Sequence, residues 1–389
     1  MADRMKILVI DNLAVESSRR SVYRLLAQRP EFEIHLLVPR RWKETADEIV
    51  CEDEPLLSLH LHISHIFFGY RHHRVLYSDL FRVLRKVKPD FVLAVHAPEN
   101  YATFQLLAAR KLLRPSMKIG LFASRNIDLP SVGFPYKLSF LNSICDWVTA
   151  RSKVDVAYHR PEGFGHLYRR YTERTVYIPH SVDCSMFDAS SNRSQGDVTL
   201  GYVGRLTEEK GVHILIEALS RLQANVRLVI VGDGPHRLQL RMLANRLGIT
   251  DRVTFEHPVR YSEMPRLLNR LDVLVLPSLE TAHWKELFGR ILIEAMACGV
   301  PVVAIEAMAC EVPVVASASG GIPEVVGDAG LLFETGNVSN LVEKLHWLVQ
   351  DLSRRQALGR MGRERVMKLF DTRLIAEMLA KDFAAVLRA

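Results

Sequence analysis

The stretch 201–211 combines glycines with two cations directly after an apolar run, a composition suited to binding phosphate. Glycine lets the backbone approach a ligand closely, and the N-terminus of the following helical segment, 212–222, favours negative charge. Arg205 and Lys210 add two donors that carry positive charge. We therefore predict that Gly204, Arg205 and Lys210 bind a diphosphate. An ordinary turn with solvated basic side chains is the alternative for this stretch alone.

A second candidate is the pair Glu286 and Glu294, two carboxylates separated by seven residues among small and apolar neighbours. Carboxylates accept hydrogen bonds from sugar hydroxyls, and glycine at a helix start admits a phosphate near backbone N–H groups. We predict that Glu286 faces a sugar and Glu294 a ribose. Phe288 and Gly289 complete this set of residues predicted to bind the sugar and its nucleotide.

His96 follows the predicted strand 91–95 and is the main candidate in the N-terminal half. Ligands of open parallel sheets collect beyond the carboxyl ends of strands, so polar residues at those positions are candidates for a cleft. A structural histidine, either hydrogen-bonded or partly exposed, is the competing interpretation. Five further candidates lie in loops that follow predicted strands, namely Asn12, Ser17, Glu99, Arg125 and Asn126.

Two series of short β-branched runs alternate with segments of helical period, which predicts parallel sheets covered by helices. The first series is expected at 6–10, 34–38, 91–95, 119–122, 147–150 and 176–178, and the second at 198–203, 227–231, 252–255, 273–276, a Pro-Val-Val segment and 330–333. The predicted fold is α/β, with two Rossmann-like, doubly wound parallel-sheet domains facing each other across a cleft. The expected divisions are an N-terminal domain at 1–187, a linker at 188–197, a C-terminal domain at 198–371 and a helix at 372–389 that packs back on the N-terminal domain.

The net charge and the cysteine content limit the classes of function that the sequence allows. The chain of 389 residues has a formal net charge of +7, and the excess lies in positions 1–180, with 27 basic against 19 acidic residues. An anionic partner suits this bias, but no nucleic-acid recognition motif accompanies it. Five cysteines without a CxxC pair indicate neither a disulfide framework nor a zinc site, so we expect no metal and a cytoplasmic protein.

The basic side chains Arg82, Arg85, Lys86 and Lys88 oppose an apolar face in 75–88. This pattern is compatible with peripheral association with the inner face of a membrane. A helix packed on the sheet with a solvated basic face is the favoured interpretation.

Residues 293–304 (IEAMACGVPVVA) are repeated at once as 305–316 (IEAMACEVPVVA), with Glu311 in place of Gly299. Both copies cannot occupy one site. We expect Glu294 to remain the ribose ligand, because Gly299 can cap a helix and Glu311 cannot, and the surplus residues to be accommodated after it. Glu306 is the rival ligand, and reduced activity is an alternative outcome of the duplication.

The motifs GRLTEEKG, VGDGP, DVLVLPS, ELFGRILIE with EAMACGVPVV, and SGGIPEVVGDAGLLF resemble in order and spacing the retaining family 4 glycosyltransferases. The resemblance covers 200–333 and implies the two-domain B fold. It also implies that Arg205 and Lys210 bind the donor diphosphate, Glu286 the transferred sugar and Glu294 the nucleotide ribose. His96 resembles the family's active-site histidine.

The resemblance implies transfer of a hexose, with retention, from a nucleoside diphosphate sugar to an acceptor glycan, glycolipid or small molecule, without a required cofactor. Two alternatives stay open. One is a sugar-nucleotide epimerase of similar shape. The other is a catalytically silent nucleotide-sugar-binding protein, because the opening loop lacks the family's paired glycines and the duplication falls in the donor region.

Overall fold

The computed structural model describes residues 4–43, 48–53, 58–68, 74–124, 140–160, 162, 164–189, 197–280 and 300–388. These residues form two compact units. Unit 1 contains the described residues up to Pro179 and those from Thr372 onward, and unit 2 contains those from His180 to Asp371. The predicted α/β class with two parallel-sheet domains is confirmed.

Unit 1 is built around a parallel sheet of seven strands in the order β11-β10-β9-β8-β1-β2-β5. Two short antiparallel pairs, β3 with β4 and β6 with β7, accompany the sheet. The strands are β1 (Met5–Ile10), β2 (Phe32–Pro39), β3 (Arg41–Lys43), β4 (Glu48–Val50), β5 (Leu59–Ser64), β6 (Ile66–Phe67), β7 (Leu76–Tyr77), β8 (Phe91–Ala94), β9 (Lys118–Ser124), β10 (Val156–Arg160) and β11 (Thr175–Tyr177). The first helices of the chain are α1 (Ser21–Ala27), α2 (Leu80–Val87), α3 (Tyr101–Leu113) and α4 (Phe140–Ser152).

The centre of this sheet can be understood from its sequence. Strand β1 places Ile7 opposite both Ile34 and Phe91, and the residues of β8 are all buried. Strands covered on both faces read as continuous apolar runs rather than alternating ones, as these do.

The predicted strand at 147–150 is wrong, because these residues lie in α4. The helix buries Asn142, Cys145, Asp146 and Thr149, a helical spacing, and the Thr149 hydroxyl donates to the carbonyls of Cys145 and Pro98, both at 2.8 Å. A short apolar run does not distinguish a buried strand from a buried helix turn. The strand of this region is β10, which the sequence analysis missed.

Unit 2 has a six-stranded parallel sheet in the order β14-β13-β12-β15-β16-β17. Its strands are β12 (Val198–Val203), β13 (Val226–Val231), β14 (Val253–Glu256), β15 (Val273–Leu276), β16 (Val314–Ser317) and β17 (Leu331–Phe333). Its helices are α5 (Val212–Ser220), α6 (Arg237–Arg246), α7 (Met264–Leu268), α8 (Val300–Ala309), α9 (Ile322–Val326), α10 (Val338–Val349) and α11 (Leu352–Leu369).

The chain enters unit 2 earlier than the expected linker at 188–197. The backbone of Val182 donates to the carbonyl of Phe370 at 2.9 Å, and Phe187 is fully buried in the core of unit 2. Asp188 forms an ion pair with Arg363 at 3.1 Å. Residues 180–188 are therefore held by unit 2.

After α11 the chain returns to unit 1 as α12 (Thr372–Arg388). Phe383 packs against Phe32, Phe91 and Tyr158, with ring centroids 6.3, 5.0 and 6.2 Å away. The Tyr158 hydroxyl donates to Asp382 at 2.6 Å. The helix thus completes the core of unit 1.

The second copy of the duplicated segment forms the end of α8 and all but the last residue of β16, and β16 pairs with β15 through Leu274 and Val314. The structure differs here from the expectation that the surplus follows the first copy. Only the second copy runs directly into the loop after β16, so chain continuity places it in the strand. Residues 300–304 of the first copy lie in α8, and 293–299 lie outside the described residues.

Glu311 ends α8 in the left-handed conformation, with φ +55. The backbone N–H of Val312 donates to the Ala307 carbonyl at 2.8 Å and that of Glu311 to Met308 at 3.0 Å, which is the Schellman arrangement. Glycine is the usual residue at this position, because a side chain makes the conformation unfavourable. The expectation that Glu311 cannot serve as the cap is therefore wrong.

Phe383→Ala should lower the free energy of unfolding of unit 1 by about 3–5 kcal/mol, because a large buried ring is lost from three aromatic contacts. Urea unfolding measures the change. Lys381→Ala, at an exposed position of α12, is the control and should stay within about 0.5 kcal/mol. A loss below about 1 kcal/mol for Phe383→Ala would contradict this packing.

Glu311→Gly should raise the free energy of unfolding by about 1 kcal/mol, because glycine adopts the left-handed conformation without the side-chain penalty. Gln350→Gly is the matched control, since Gln350 ends α10 with φ −72 and gains nothing from glycine. Equal effects of the two substitutions in urea unfolding would count against a strained cap at Glu311.

Candidate functional site

The carboxyl ends of the parallel strands in unit 2 meet at one edge of the sheet, and the loops after β12 and β13 are in contact there. A Cβ atom added to Gly232 would lie 1.9 Å from the carbonyl oxygen of Gly204. The backbone N–H of Gly204 donates to Val231 at 3.0 Å, and that of Leu206 to Asp233 at 2.9 Å. Glycine at position 232 is required for this close approach.

Arg205 lies between these fixed points. Its carbonyl accepts a hydrogen bond from the Tyr202 hydroxyl at 2.7 Å. This bond ties the backbone of Arg205 to the end of β12. The guanidinium is half-buried and forms no ion pair or hydrogen bond with any described residue. A fixed backbone thus presents a cation whose donors are engaged by none of the described residues.

Lys210 ends the short 3-10 turn Glu208–Lys210 and is only 4% exposed. Gly211 follows with φ +64, and α5 begins at the next residue. The turn is joined to the loop after β15, because the Leu279 N–H donates to the Glu209 carbonyl at 2.8 Å. Lys210 therefore directly precedes Gly211 and the start of α5, where the helix dipole also favours anions.

Three buried hydroxyls lie along the same edge without a hydrogen-bond partner among the described residues, those of Thr207, Ser278 and Ser317. Thr207 follows β12, Ser278 follows β15 and Ser317 ends β16, and these three strands are neighbours in the sheet. Buried polar groups are nearly always satisfied, so three together at one edge indicate a place for a polar ligand or water. The sequence analysis missed all three.

The loop after β16 closes this edge. The N–H of Gly320 donates to the Glu280 carboxylate at 3.2 Å, and α9 begins two residues later. Glu306, on α8 before β16, is 1% exposed. The predicted donor-side residues Glu286, Phe288, Gly289 and Glu294 lie outside the described residues.

Unit 1 brings Asn12 and His96 together through Tyr77. The Tyr77 hydroxyl donates to the Asn12 side-chain oxygen, and the rings of Tyr77 and His96 are 6.2 Å apart. Burial raises the pKa of Tyr77, so the phenol keeps its proton as the donor. His96 is 3% exposed, and its Nδ1 lies 3.4 Å from the Asn100 amide nitrogen.

The opening loop after β1 is held by a buried carboxylate. Asp11 accepts from the Tyr23 hydroxyl at 2.7 Å and from the Leu13 N–H at 2.9 Å. Burial raises the pKa of Asp11, an effect that these hydrogen bonds oppose. The loop therefore has a defined conformation without the glycines that the family resemblance leads one to expect.

Two of the remaining unit 1 candidates already have internal roles. Ser17 donates its N–H to the Glu52 carboxylate at 3.0 Å, and its hydroxyl accepts from Arg24. Glu99 is 1% exposed, and its carbonyl accepts from the Asn142 amide at 2.9 Å. Arg125 and Asn126 lie outside the described residues.

A comparison with known families gives a match that covers most of unit 2. The sequence model of the family called Glycosyl transferases group 1 matches residues 186–305 and 302–365, and the match restarts inside the duplicated segment. The chain carries a group 1 glycosyltransferase domain. Arg205, Lys210, the three hydroxyls and Glu306 all fall within it.

Two curated relatives illustrate how much of the chain is matched. The chain is 30% identical over 222 residues to N-acetyl-alpha-D-glucosaminyl L-malate synthase of Bacillus anthracis, a match covering 56% of this chain and 53% of that one. It is 32% identical over 217 residues to D-inositol 3-phosphate glycosyltransferase of Stackebrandtia nassauensis, covering 50% and 45%. The chain thus spans about half the length of these relatives.

Solved structures share the fold of both units. Sucrose-phosphate synthase from Thermosynechococcus elongatus matches with a TM-score of 0.69 at 19% identity, covering 99% of this chain and 100% of that one. Anabaena HepE in complex with UDP and glucose also matches with a TM-score of 0.69 at 19% identity, covering 98% and 100%. The group 1 domain thus belongs to a chain with the two-domain GT-B glycosyltransferase fold. No helix among the described residues is long and apolar enough to cross a membrane.

Gly211→Ala should lower the free energy of unfolding of the glycosyltransferase domain by roughly 3 kcal/mol, because the new Cβ would lie 2.0 Å from the Pro277 carbonyl oxygen. Gly248→Ala is the matched control, since Gly248 has a similar φ of +67 but nothing within 4 Å of an added Cβ. We expect the control to lose only about 1 kcal/mol in urea unfolding. Equal losses would show that the contact between the two loops is absent.

Proposed function

We propose that this protein is a retaining glycosyltransferase that transfers a hexose from a nucleoside diphosphate sugar to an acceptor hydroxyl. Unit 2 binds the donor and unit 1 the acceptor. The observation that carries the proposal is the edge of unit 2, where Arg205 and the buried Lys210 precede the N-terminus of α5 within the matched family domain. The Arg205 guanidinium pairs with none of the described residues there.

The chemistry of transfer explains why two cations are needed there. As the bond from the anomeric carbon to the diphosphate breaks, negative charge grows on the leaving oxygen. Preorganised cations and a helix N-terminus stabilise that charge more than the ground state, which lowers the barrier. Arg205 and Lys210 would supply the stabilisation that a divalent ion supplies in other transferases, and we propose that transfer needs no cofactor.

The unsatisfied hydroxyls of Thr207, Ser278 and Ser317 support a polar ligand at the same edge. A nucleoside diphosphate sugar offers phosphate oxygens and hydroxyls that can pair with them. We propose that Glu286 contacts the transferred sugar, with Phe288 and Gly289 beside it, as the family resemblance implies. HepE, with the same fold, has been solved with UDP and glucose, so uridine diphosphate glucose is the first donor to test.

For the ribose ligand we now propose Glu306 rather than Glu294. The second copy of the duplication supplies β16 and the helical turn before it, and Glu306 lies buried on that turn. Glu294 is the equivalent residue of a copy that does not form the strand. We therefore assign the ribose ligand to the copy that forms β16.

On the acceptor side we propose His96 and Asn12, which Tyr77 links, with Glu99 nearby in sequence. The names of the Bacillus anthracis and Stackebrandtia nassauensis relatives contain two anionic compounds, L-malate and D-inositol 3-phosphate. The basic excess of positions 1–180 suits such an acceptor, whether a small molecule, a glycan or the head group of a glycolipid.

Nucleotide release from a panel of uridine, guanosine and adenosine diphosphate sugars, with and without acceptor, tests the proposal. Acceptor-dependent release together with a glycosylated product of retained anomeric configuration supports it. Conversion of the donor to an epimer without acceptor would show an epimerase. Donor binding in calorimetry without any turnover would show a silent binding protein.

Arg205→Ala should lower turnover by about 100-fold or more, because a charged donor to the leaving group is lost. Arg246→Ala, at the exposed end of α6 in the same unit, is the control and should leave turnover unchanged. Melting temperatures verify that both variants are folded. Unchanged turnover in Arg205→Ala would remove this residue from the mechanism.

Glu306→Gln should raise the KM for the donor about tenfold or more, whereas Glu294→Gln should leave it nearly unchanged, because we assign the ribose ligand to the copy that forms β16. Steady-state kinetics with the best donor of the panel separates the two. The opposite result would return the ribose to the first copy.

A further inference from the structure

A cluster of one carboxylate and three imidazoles lies on the sheet of unit 1, away from Asn12 and His96. Glu33 and His35 alternate along β2, and His60 and His62 alternate along β5. The parallel register pairs His35 with His60 and Leu37 with His62. Because residues two apart share a face of a sheet, all four side chains lie on one face.

The cluster lies near the amino ends of the strands, whereas the proposed acceptor residues follow the carboxyl ends. Glu33 and His60 are the second residues of their strands, so they lie near the amino ends of β2 and β5. Asn12 and His96 follow the carboxyl ends of β1 and β8 in the same parallel sheet. A ligand of this cluster would therefore not compete with the acceptor.

Ligand atoms of Glu33, His35 and His60 all lie within 4.8 Å of one another. His35 Nε2 is 2.8 Å from the Glu33 carboxylate, and His35 Nδ1 is 3.0 Å from His62 Nε2. The His35 and His60 rings stack with centroids 4.7 Å apart. Zinc bonded to nitrogen and oxygen at about 2.1 Å needs ligand atoms about 3.4 Å apart, so binding would require the His35 and His60 rings, now stacked at 23°, to turn toward a common point.

We propose that Glu33, His35 and His60 form a binding site for a divalent transition metal ion of the Zn²⁺ class, with His62 as the partner that orients His35. Nitrogen and carboxylate donors are the ligands that such ions take, whereas Mg²⁺ and Ca²⁺ prefer oxygen alone. Three protein ligands leave a coordination position for water, and His60 is exposed, so the ion has access from solvent.

The role of His62 can be read from the direction of the His35 ring. In the structure Nε2 donates to the Glu33 carboxylate at 2.8 Å, and Nδ1 lies 3.0 Å from His62 Nε2. When Nε2 binds the ion in place of this hydrogen bond, the remaining proton would lie on Nδ1, and Nδ1 would donate a hydrogen bond to His62 Nε2. A metal-bound imidazole typically donates its other N–H in this way, which fixes its tautomer and its orientation. His62 is therefore a positioning residue.

Charged side chains near the cluster bear on cation binding. Lys6, 3.9 Å from Glu33, and Lys86 near His62 oppose a further cation, an effect that the Glu33 charge offsets.

An ion at this position would join the edge strand β5 to β2 by bonds other than the ladder. An edge strand has hydrogen-bonding neighbours on one side only, so an added link across the pair stabilises the end of the sheet. The expected consequence is a more stable unit 1, independent of any donor or acceptor.

The test uses the full chain without a histidine tag, treated with EDTA, dialysed and titrated with Zn²⁺ alone in calorimetry. We expect about one Zn²⁺ per chain and a higher melting temperature of unit 1. Co²⁺, added instead, should give visible absorption bands of a four- or five-coordinate site. No saturable binding by the wild-type chain would overturn the proposal.

His60→Ala and Glu33→Gln should each weaken Zn²⁺ affinity at least tenfold and abolish the shift in melting temperature. His62→Ala should weaken affinity about tenfold through the lost orientation of His35. His257→Ala, an exposed histidine of unit 2, is the matched control and should bind as the wild type does. Unchanged affinity in both His60→Ala and Glu33→Gln would assign any bound zinc to another place and refute the site.

Discussion

Parallel strand pairing is the constraint on which the other features depend. It brings the carboxyl ends of all strands of a sheet to one edge, where the backbone leaves regular structure and polar groups can converge. In unit 2 this edge gathers Arg205, Lys210 and the hydroxyls of three neighbouring strands. In unit 1 it gathers Asn12 and His96. The apolar strands beneath, such as β8 and β15, fix these loops, because strands buried on both faces have little freedom to shift register.

Sequence periodicity was sufficient for most of the fold, since continuous β-branched runs are typical of the central strands of a parallel sheet. It failed at 147–150, where an apolar run of a few residues is compatible with either element, and the side chains of α4 decide for the helix. Spacing also identified the loop at 201–211, because glycines, cations and a helix start are adjacent in the chain. Features that depend on tertiary neighbours were not predictable in the same way.

Tyr77 and the histidine cluster illustrate that limit. Tyr77 reaches Asn12 from a short strand far along the chain, and nothing in its local pattern marks it. The prediction that no metal site exists was based on the number and spacing of the cysteines. The alternating patterns Glu33-x-His35 and His60-x-His62 were visible in the sequence, but only the register of β2 against β5 shows that they face each other. The duplication is a similar case, since its two nearly identical copies are told apart mainly by their neighbours in the chain.

The return of the chain to unit 1 as α12 makes that unit discontinuous in sequence. Phe383 and Asp382 are translated after the whole of unit 2, yet they fill the core formed by Phe32, Phe91 and Tyr158. On the ribosome, the first sheet must therefore wait with an uncovered apolar surface while about half of the chain is still being made. Nascent chains of this protein therefore need chaperones most while unit 2 is still being synthesised. Unit 2 is the unit that can fold first.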